Sequence, residues 1–321
     1  MRTTLALLFI LFFIGGPEYQ SPRSFQATWN LGHIIFFALL PLMIFSFQNK
    51  KEVKPTTQAA IVIGITLIFG IAVELFQYGS NRTPDIGDLT RNMIGAMVAI
   101  FFLLPIRKAL SRTPLLIMKS ITVTLIFAQL YPIAIALLDE HHARRDFPIL
   151  SDFQTPYQIQ RWSQSDIIST RHIPNSPENW ALKANLTTEQ YSGVSLKHFP
   201  GKWLNYQWLQ FRVYNPSTEP ITLTCRIHDK KHTQGLQQYR DRFNNTYPMT
   251  QGWNTITINL KNVQQAPATR TMDLSNIYGI GIFATRLPHP RTIYIDDLKL
   301  LKRVPVAEQK NSAGKTPKAP F

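Results

Sequence analysis

Apolar residues gather into long runs before residue 139 and alternate with polar ones after about residue 150. The runs lie at about 4–16, 29–47, 57–77, 90–105 and 114–138. A membrane-crossing helix needs roughly 20 mostly apolar residues. The second, third and fifth runs meet that length directly. The fourth needs its polar start, Asp88 to Asn92, placed at an interface or inside a bundle. The first (TTLALLFILFFIGG) is short. It reads as a retained helix, since no small-residue cleavage pattern follows before Pro17, or as the apolar core of a signal peptide. The pattern predicts an α-helical transmembrane bundle of about five spans over residues 1–138 and a linker at 139–149.

Beyond the linker, runs of five to nine residues are rich in β-branched and aromatic side chains. They are Leu209–Tyr214, Ile221–Ile227, Thr255–Leu260, Ile277–Phe283 and Arg291–Ile295, punctuated by Asn215-Pro-Ser, Gln251-Gly-Trp-Asn and Leu287-Pro-His-Pro. Short strands with such turn signals predict an all-β sandwich over residues 150–303. Residues 304–321 are polar and rich in Pro, Ala and Lys, the composition of a disordered tail.

Charge changes the picture in two ways. The 321-residue chain carries 34 Lys and Arg against 19 Asp and Glu, a net charge of +15. Lys50, Lys51, Lys54, Arg107, Lys108, Arg112 and Arg2 all fall on one side of the five runs. By the positive-inside rule that side is cytoplasmic. The chain then sits in the inner (cytoplasmic) membrane with its C-terminal domain outside, in the periplasm of a Gram-negative cell. Nucleic acid is a poor partner for such a domain, and no nucleic-acid-binding motif occurs. The basic surface there has two readings, attraction to anionic headgroups or acidic envelope polymers and ordinary solvated charge. A single cysteine, Cys225, excludes an intramolecular disulfide framework. As a strand residue it reads as a core side chain.

Candidate chemistry concentrates between the third and fourth runs. Glu74 and Gln77 share a helical face inside an apolar run, and Asp85, Asp88, Asn92 and Gly95 are spaced three, four and three apart. Arg82 and Arg91 lie among them, and Thr83-Pro84 reads as an N-cap followed by proline at the first helical position. Together with His33, at the start of the second run, they predict a polar membrane site near the outer leaflet. Ionisable residues in a span face the bundle interior or a cavity and have a partner. Structural polar packing is the competing reading.

The combination of His33, Glu74-x-x-Gln77, Arg82, Asp85, Asp88 and Asn92-x-x-Gly95 resembles the VanZ-like membrane proteins over about residues 25–138. The resemblance implies an integral protein of the bacterial envelope. The family's namesake is associated with low-level teicoplanin resistance, so an effect on glycopeptide antibiotic susceptibility is an expectation, but no reaction follows. Residues 150–303 resemble a carbohydrate-binding-module-like domain of the galactose-binding-like jelly-roll type. The carriers are Trp180-Ala-Leu-Lys, Tyr191-Ser-Gly-Val, Trp203 to Tyr214, Tyr239-Arg-Asp-Arg-Phe243, Gln251-Gly-Trp-Asn254 and Ile293-Tyr-Ile-Asp-Asp-Leu298. That likeness implies binding of glycan, with Arg240, Asp241, Arg242 and Asn244 as candidate contacts. In related domains a structural Ca²⁺ sits where Asp296 and Asp297 end the last strand, although two adjacent carboxylates are not an oxygen cage. No other cofactor is expected. Trp208, flanked by strand residues, reads as core. His141, His142, His172, His198, His228, His232 and His289 show no ligand spacing and read as surface.

Two functions follow. One is a non-enzymatic envelope protein whose helices form an outward-facing polar site and whose outer domain holds glycan or a protein partner. The other is a membrane enzyme or transporter for a lipid-linked sugar or other amphiphile. There Glu74, Asp85 or Asp88 would act as base or metal ligand, and Arg82 and Arg91 would hold a phosphate.

Overall fold

The computed structural model describes residues 21–46, 53–78, 86–164, 168–173 and 176–303. The chain divides into two compact units, Met1–Leu137 and Leu138–Phe321. The expected span at 4–16 and the tail at 304–321 lie outside the described residues.

The first unit is helical. Its elements are α1 (Arg23–Ser46), α2 (Pro55–Tyr78), α3 (Ile86–Val98) and the start of α4 (Arg112–Arg145). A π-turn (Ala99–Leu103) and a 3-10 turn (Pro105–Ala109) continue α3. Among the described residues four helical stretches are long and apolar enough to cross a membrane: Arg23–Ser46, Pro55–Val73, Ile86–Leu103 and Arg112–Arg145. Phe36, Phe37 and Leu40 of α1 are buried in one apolar cluster, while Val62 of α2 packs with Ala96, Ala99 and Ile100 in another. Many other apolar side chains face outward, including Ile68, Ile71, Phe127 and Tyr131. Such surface suits a hydrocarbon solvent.

Helix α4 continues to Arg145, through residues that composition assigns to a linker at 139–149. Two causes extend it. Arg144 and Arg145 place cationic side chains in the last turn, where they complement the carbonyl end of the helix. Asp139 is also fixed by Arg161, whose Nε and Nη2 donate to its carboxylate at 2.8–3.1 Å.

The second unit is a β-sandwich. Sheet one runs β3 (Ile168–Ile173), β4 (Ser176–Leu186), β11 (Arg291–Leu301), β6 (Trp208–Asn215), β9 (Gly252–Asn259), with β1 (Ile149–Ser151) also on β11. Sheet two runs β2 (Trp162–Gln164), β5 (Ser192–Leu196), β10 (Ile277–Ala284), β7 (Ile221–Asp229), β8 (Phe243–Met249). Every pairing is antiparallel. Strict alternation builds the core: Leu209, Phe211 and Val213 of β6 meet Ile221, Leu223, Cys225 and Ile227 of β7 in one cluster. Short helices α5 (Lys230–Gln234) and α6 (Leu260–Gln264) are capped by Asp229 and Asn259.

Two expectations are corrected here. Trp208 turns outward because Leu209 takes the inward position; Trp203 is the fully buried indole, donating to the Pro200 carbonyl at 3.1 Å. His228 and His232 are buried rather than on the surface, with ring centroids 5.2 Å apart. His228 fits because its cross-strand partner is Gly279, where a Cβ would come within 2.4 Å of the ring.

Candidate functional sites

The helical unit brings four of the expected polar residues together. His33 of α1 places Nδ1 2.9 Å from Asn92 Oδ1 and Nε2 3.6 Å from Asp88 Oδ2. Arg91, one turn along α3, pairs with Asp88. His33 and Asn92 are buried, and Asp88 and Arg91 nearly so. Small residues permit this convergence. A Cβ on Gly95 would lie 2.6 Å from the Ile34 carbonyl oxygen, and one on Gly70 of α2 would lie 2.9 Å from Asn92 Nδ2. Position 74 follows Gly70 one turn later on the same helix. The side chains of Glu74 and Gln77 lie outside the described residues, as do Arg82, Asp85 and the Thr83-Pro84 cap.

In the sandwich, the outer face of sheet two carries a polar strip. The inward turn of Ile280 and Ile282 sends Gly279, Gly281 and Phe283 outward. Register then aligns Ser163, Ser195, Gly281, Arg226 and Asn244 across five strands. Arg226 lies over Gly281 and donates from Nη2 to Ser195 Oγ at 3.4 Å. Arg242, just before β8, stacks on Tyr239 with its guanidinium carbon 5.5 Å from the ring centroid. Tyr191 packs edge-on against Phe283 at 5.8 Å. Tyr191 and Tyr239 are 59% and 68% exposed, so two aromatic side chains stand open beside the strip. Arg226 Nε, Arg242 Nε, Asn244 Oδ1 and His228 Nδ1 are buried without a hydrogen-bond partner among the described residues.

Burial sets the electrostatics of this face. It lowers the pKa of Arg242, and it lowers that of Arg226 with help from the Arg242 charge. Burial and the two arginines push His228 down to about 3, so the ring is neutral at ordinary pH. Beneath the strip, burial pushes the Cys225 thiol up to about 12.

Of the four candidate contacts here, Arg242 and Asn244 belong to the strip. Arg240 is exposed. Asp241 is turned to Arg270, whose Nε lies 2.5 Å from its Oδ1, and to His232 Nδ1 at 3.2 Å. Arg270 also donates to Asp229 at 2.6 and 2.8 Å, locking α5 to the loop before β8. Arg226, His228, Tyr191 and the two glycines are absent from the sequence-based candidates.

The opposite face of the sandwich holds Asp296 and Asp297. Arg212 Nη2 donates to Asp296 at 3.0 Å and Lys299 Nζ to Asp297 at 2.8 Å, while Arg212 stacks on Trp253 at 4.5 Å. Both candidate metal ligands thus have a cationic side chain as partner. Among the described residues no three His, Cys, Asp or Glu gather as a metal site.

No family model matches the chain, and no curated protein matches it at a significant level. Solved structures similar to it include an exo-β-agarase (TM-score 0.39, 16% identity over 49% of this chain). The matched region spans 25% of the agarase. Also similar are a family 11 carbohydrate-binding module from Clostridium thermocellum, solved with a β-1,3-1,4-mixed-linked tetrasaccharide (TM-score 0.37, 16% identity, 48% of this chain and 94% of the module), and the CBM28 module specific for non-crystalline cellulose (TM-score 0.37, 11% identity, 49% and 95%).

Proposed function

We propose that the chain is a membrane-anchored glycan-binding protein of the cell envelope. Its apolar helices hold it in the bilayer with the sandwich outside, and the outer face of sheet two receives the sugar chain. One observation carries this reading: two exposed tyrosines flank a polar strip formed by Arg226, Arg242 and Asn244, with Arg226 laid over Gly281. Sugar rings offer both C–H faces and hydroxyls, so their recognition calls for aromatic surface beside polar groups. The helical cluster of His33, Asp88, Arg91 and Asn92, with Glu74 and Gln77 nearby in sequence, serves in this reading as the VanZ-like polar core.

The test is affinity electrophoresis of the full chain in detergent through gels containing neutral and acidic polysaccharides. At least one polymer should retard the protein, and Tyr191→Ala or Tyr239→Ala should restore its mobility. Unretarded migration through every polymer refutes the proposal. A second reading, a membrane enzyme or transporter for lipid-linked sugars, draws on the meeting of His33 with Asp88. The close packing of His33 and Asn92 supports a structural role for that cluster and ranks the second reading lower.

A further inference from the structure

Buried or half-buried arginines in the sandwich unit fall into two groups. Arg161 meets Asp139, Arg270 meets Asp229 and Asp241, Arg212 meets Asp296, and Arg291 meets Glu219. Arg226 and Arg242 meet no carboxylate among the described residues. Their neighbours are Ser195, the Tyr239 ring and each other's charge. The nearest acids in the chain, Asp229 and Asp241, are bound by Arg270 instead. Two like charges taken partly out of water, without a counter-ion, are unfavourable for the empty fold. Guanidinium groups in that state are suited to an oxyanion whose two oxygens take paired N–H donors.

We infer that the strip binds an acidic polysaccharide, with Arg226 and Arg242 taking a carboxylate or sulfate substituent while Tyr191 and Tyr239 line the sugar rings. The inference rests on the glycan reading and names its substrate class. Neutral polymers leave both arginines without a counter-charge and bind more weakly. The exposed Arg240, outside the strip, contributes only to the general field.

The experiment uses the full chain in nanodiscs of phosphatidylcholine, which carry no net charge. Binding is measured to polygalacturonate (carboxylate), λ-carrageenan (sulfate) and neutral mixed-linked β-glucan. One or both acidic polymers should bind more tightly than the glucan, the two arms distinguishing carboxylate from sulfate. Arg226→Gln and Arg242→Gln should each weaken that binding by about tenfold to a hundredfold, and Arg240→Gln by less than about twofold. Should a glutamine variant fail to fold, Arg226→Lys and Arg242→Lys keep the charge but lose the paired donors, and they should show a loss as well. Glucan binding as tight as that of the acidic polymers, unchanged in the arginine variants, overturns the acidic class and leaves the glycan reading standing. Binding to none of the three overturns both. Equal losses in Arg240→Gln mean that polyanions are drawn to the +15 chain as a whole, which overturns the assignment to this strip.

Discussion

Replacing Arg161 by Leu should destabilise the sandwich unit more than most single changes. The guanidinium donates to both Asp139 oxygens at 2.8–3.1 Å, to the Asp139 carbonyl at 3.2 Å and to the Leu150 carbonyl at 3.0 Å. Both side chains are almost fully buried, at 2% and 3% exposure. Leucine fills most of the space but strands the Asp139 carboxylate, which costs about 3–5 kcal/mol for a buried pair broken on one side. At about 2–4 °C per kcal/mol for a unit of this size, Tm should fall by roughly 6–20 °C. Trp162 lies beside the pair, its indole bonded to Ser151 at 3.1 Å, so intrinsic tryptophan fluorescence on heating reports the transition. The double variant Asp139→Leu/Arg161→Leu strands no charge and should recover part of the loss. A single variant melting within about 2 °C of the parent, or a double variant melting below it, would refute the reasoning.

Gly95→Ala should lower the amount of folded protein in the membrane, because the added Cβ would meet the Ile34 backbone oxygen at 2.6 Å and neither helix can yield locally. Quantitative blotting of membrane fractions checks this, and parental levels would contradict the close helix approach. Acid should also destabilise the sandwich through Asp229 and Asp241. Arg270 is the main cause holding the Asp241 carboxyl low; burial pushes Asp229 up, but Arg270 and the amides of Asp273 and His232 outweigh it. Groups with depressed folded pKa stabilise above the unfolded carboxylate range, about pH 3.9, and lose that contribution as pH falls through the folded value. Melting temperature followed from pH 7 to pH 3 should therefore drop at the acid end, and Arg270→Gln should lower Tm at pH 7 while flattening the acid limb. A parental profile flat to pH 3 counts against the clamp.

The strands legible in sequence are those whose alternation is written in β-branched residues. Ile221 to Ile227 and Thr255 to Asn259 need no tertiary information, since each presents one apolar face. Strand β8 escapes notice because Phe-Asn-Asn-Thr-Tyr-Pro-Met is rich in residues that strands avoid. It survives at the edge of sheet two, where Pro248 can lack a donor without breaking an interior ladder. The helix end at Arg145, past the last apolar run, has a similar reason. Asp139 reads as the start of a polar linker until Arg161, 22 residues later, supplies its partner.

The candidate glycan face shows what local patterns leave out. Asp241 and Arg242 are adjacent and look equivalent in sequence, yet one is spent on Arg270 and the other stands without an anion. The difference comes from a contact 29 residues away, which periodicity does not encode. Arg226 looks like an ordinary outward residue of an alternating strand. One local signal does mark it: Gly279-Ile-Gly-Ile282 is a strand whose inward positions are isoleucine and whose outward positions are bare. Glycine weakens a strand and marks close approach by something else. Here the approach is by His228 and Arg226, whose side chains lie across the glycines from the neighbouring strand. The fold gains little from a half-buried arginine held over a glycine without a counter-ion. The arrangement gains its value if the missing counter-charge arrives with a ligand, as an acidic sugar lying along the strip would bring it.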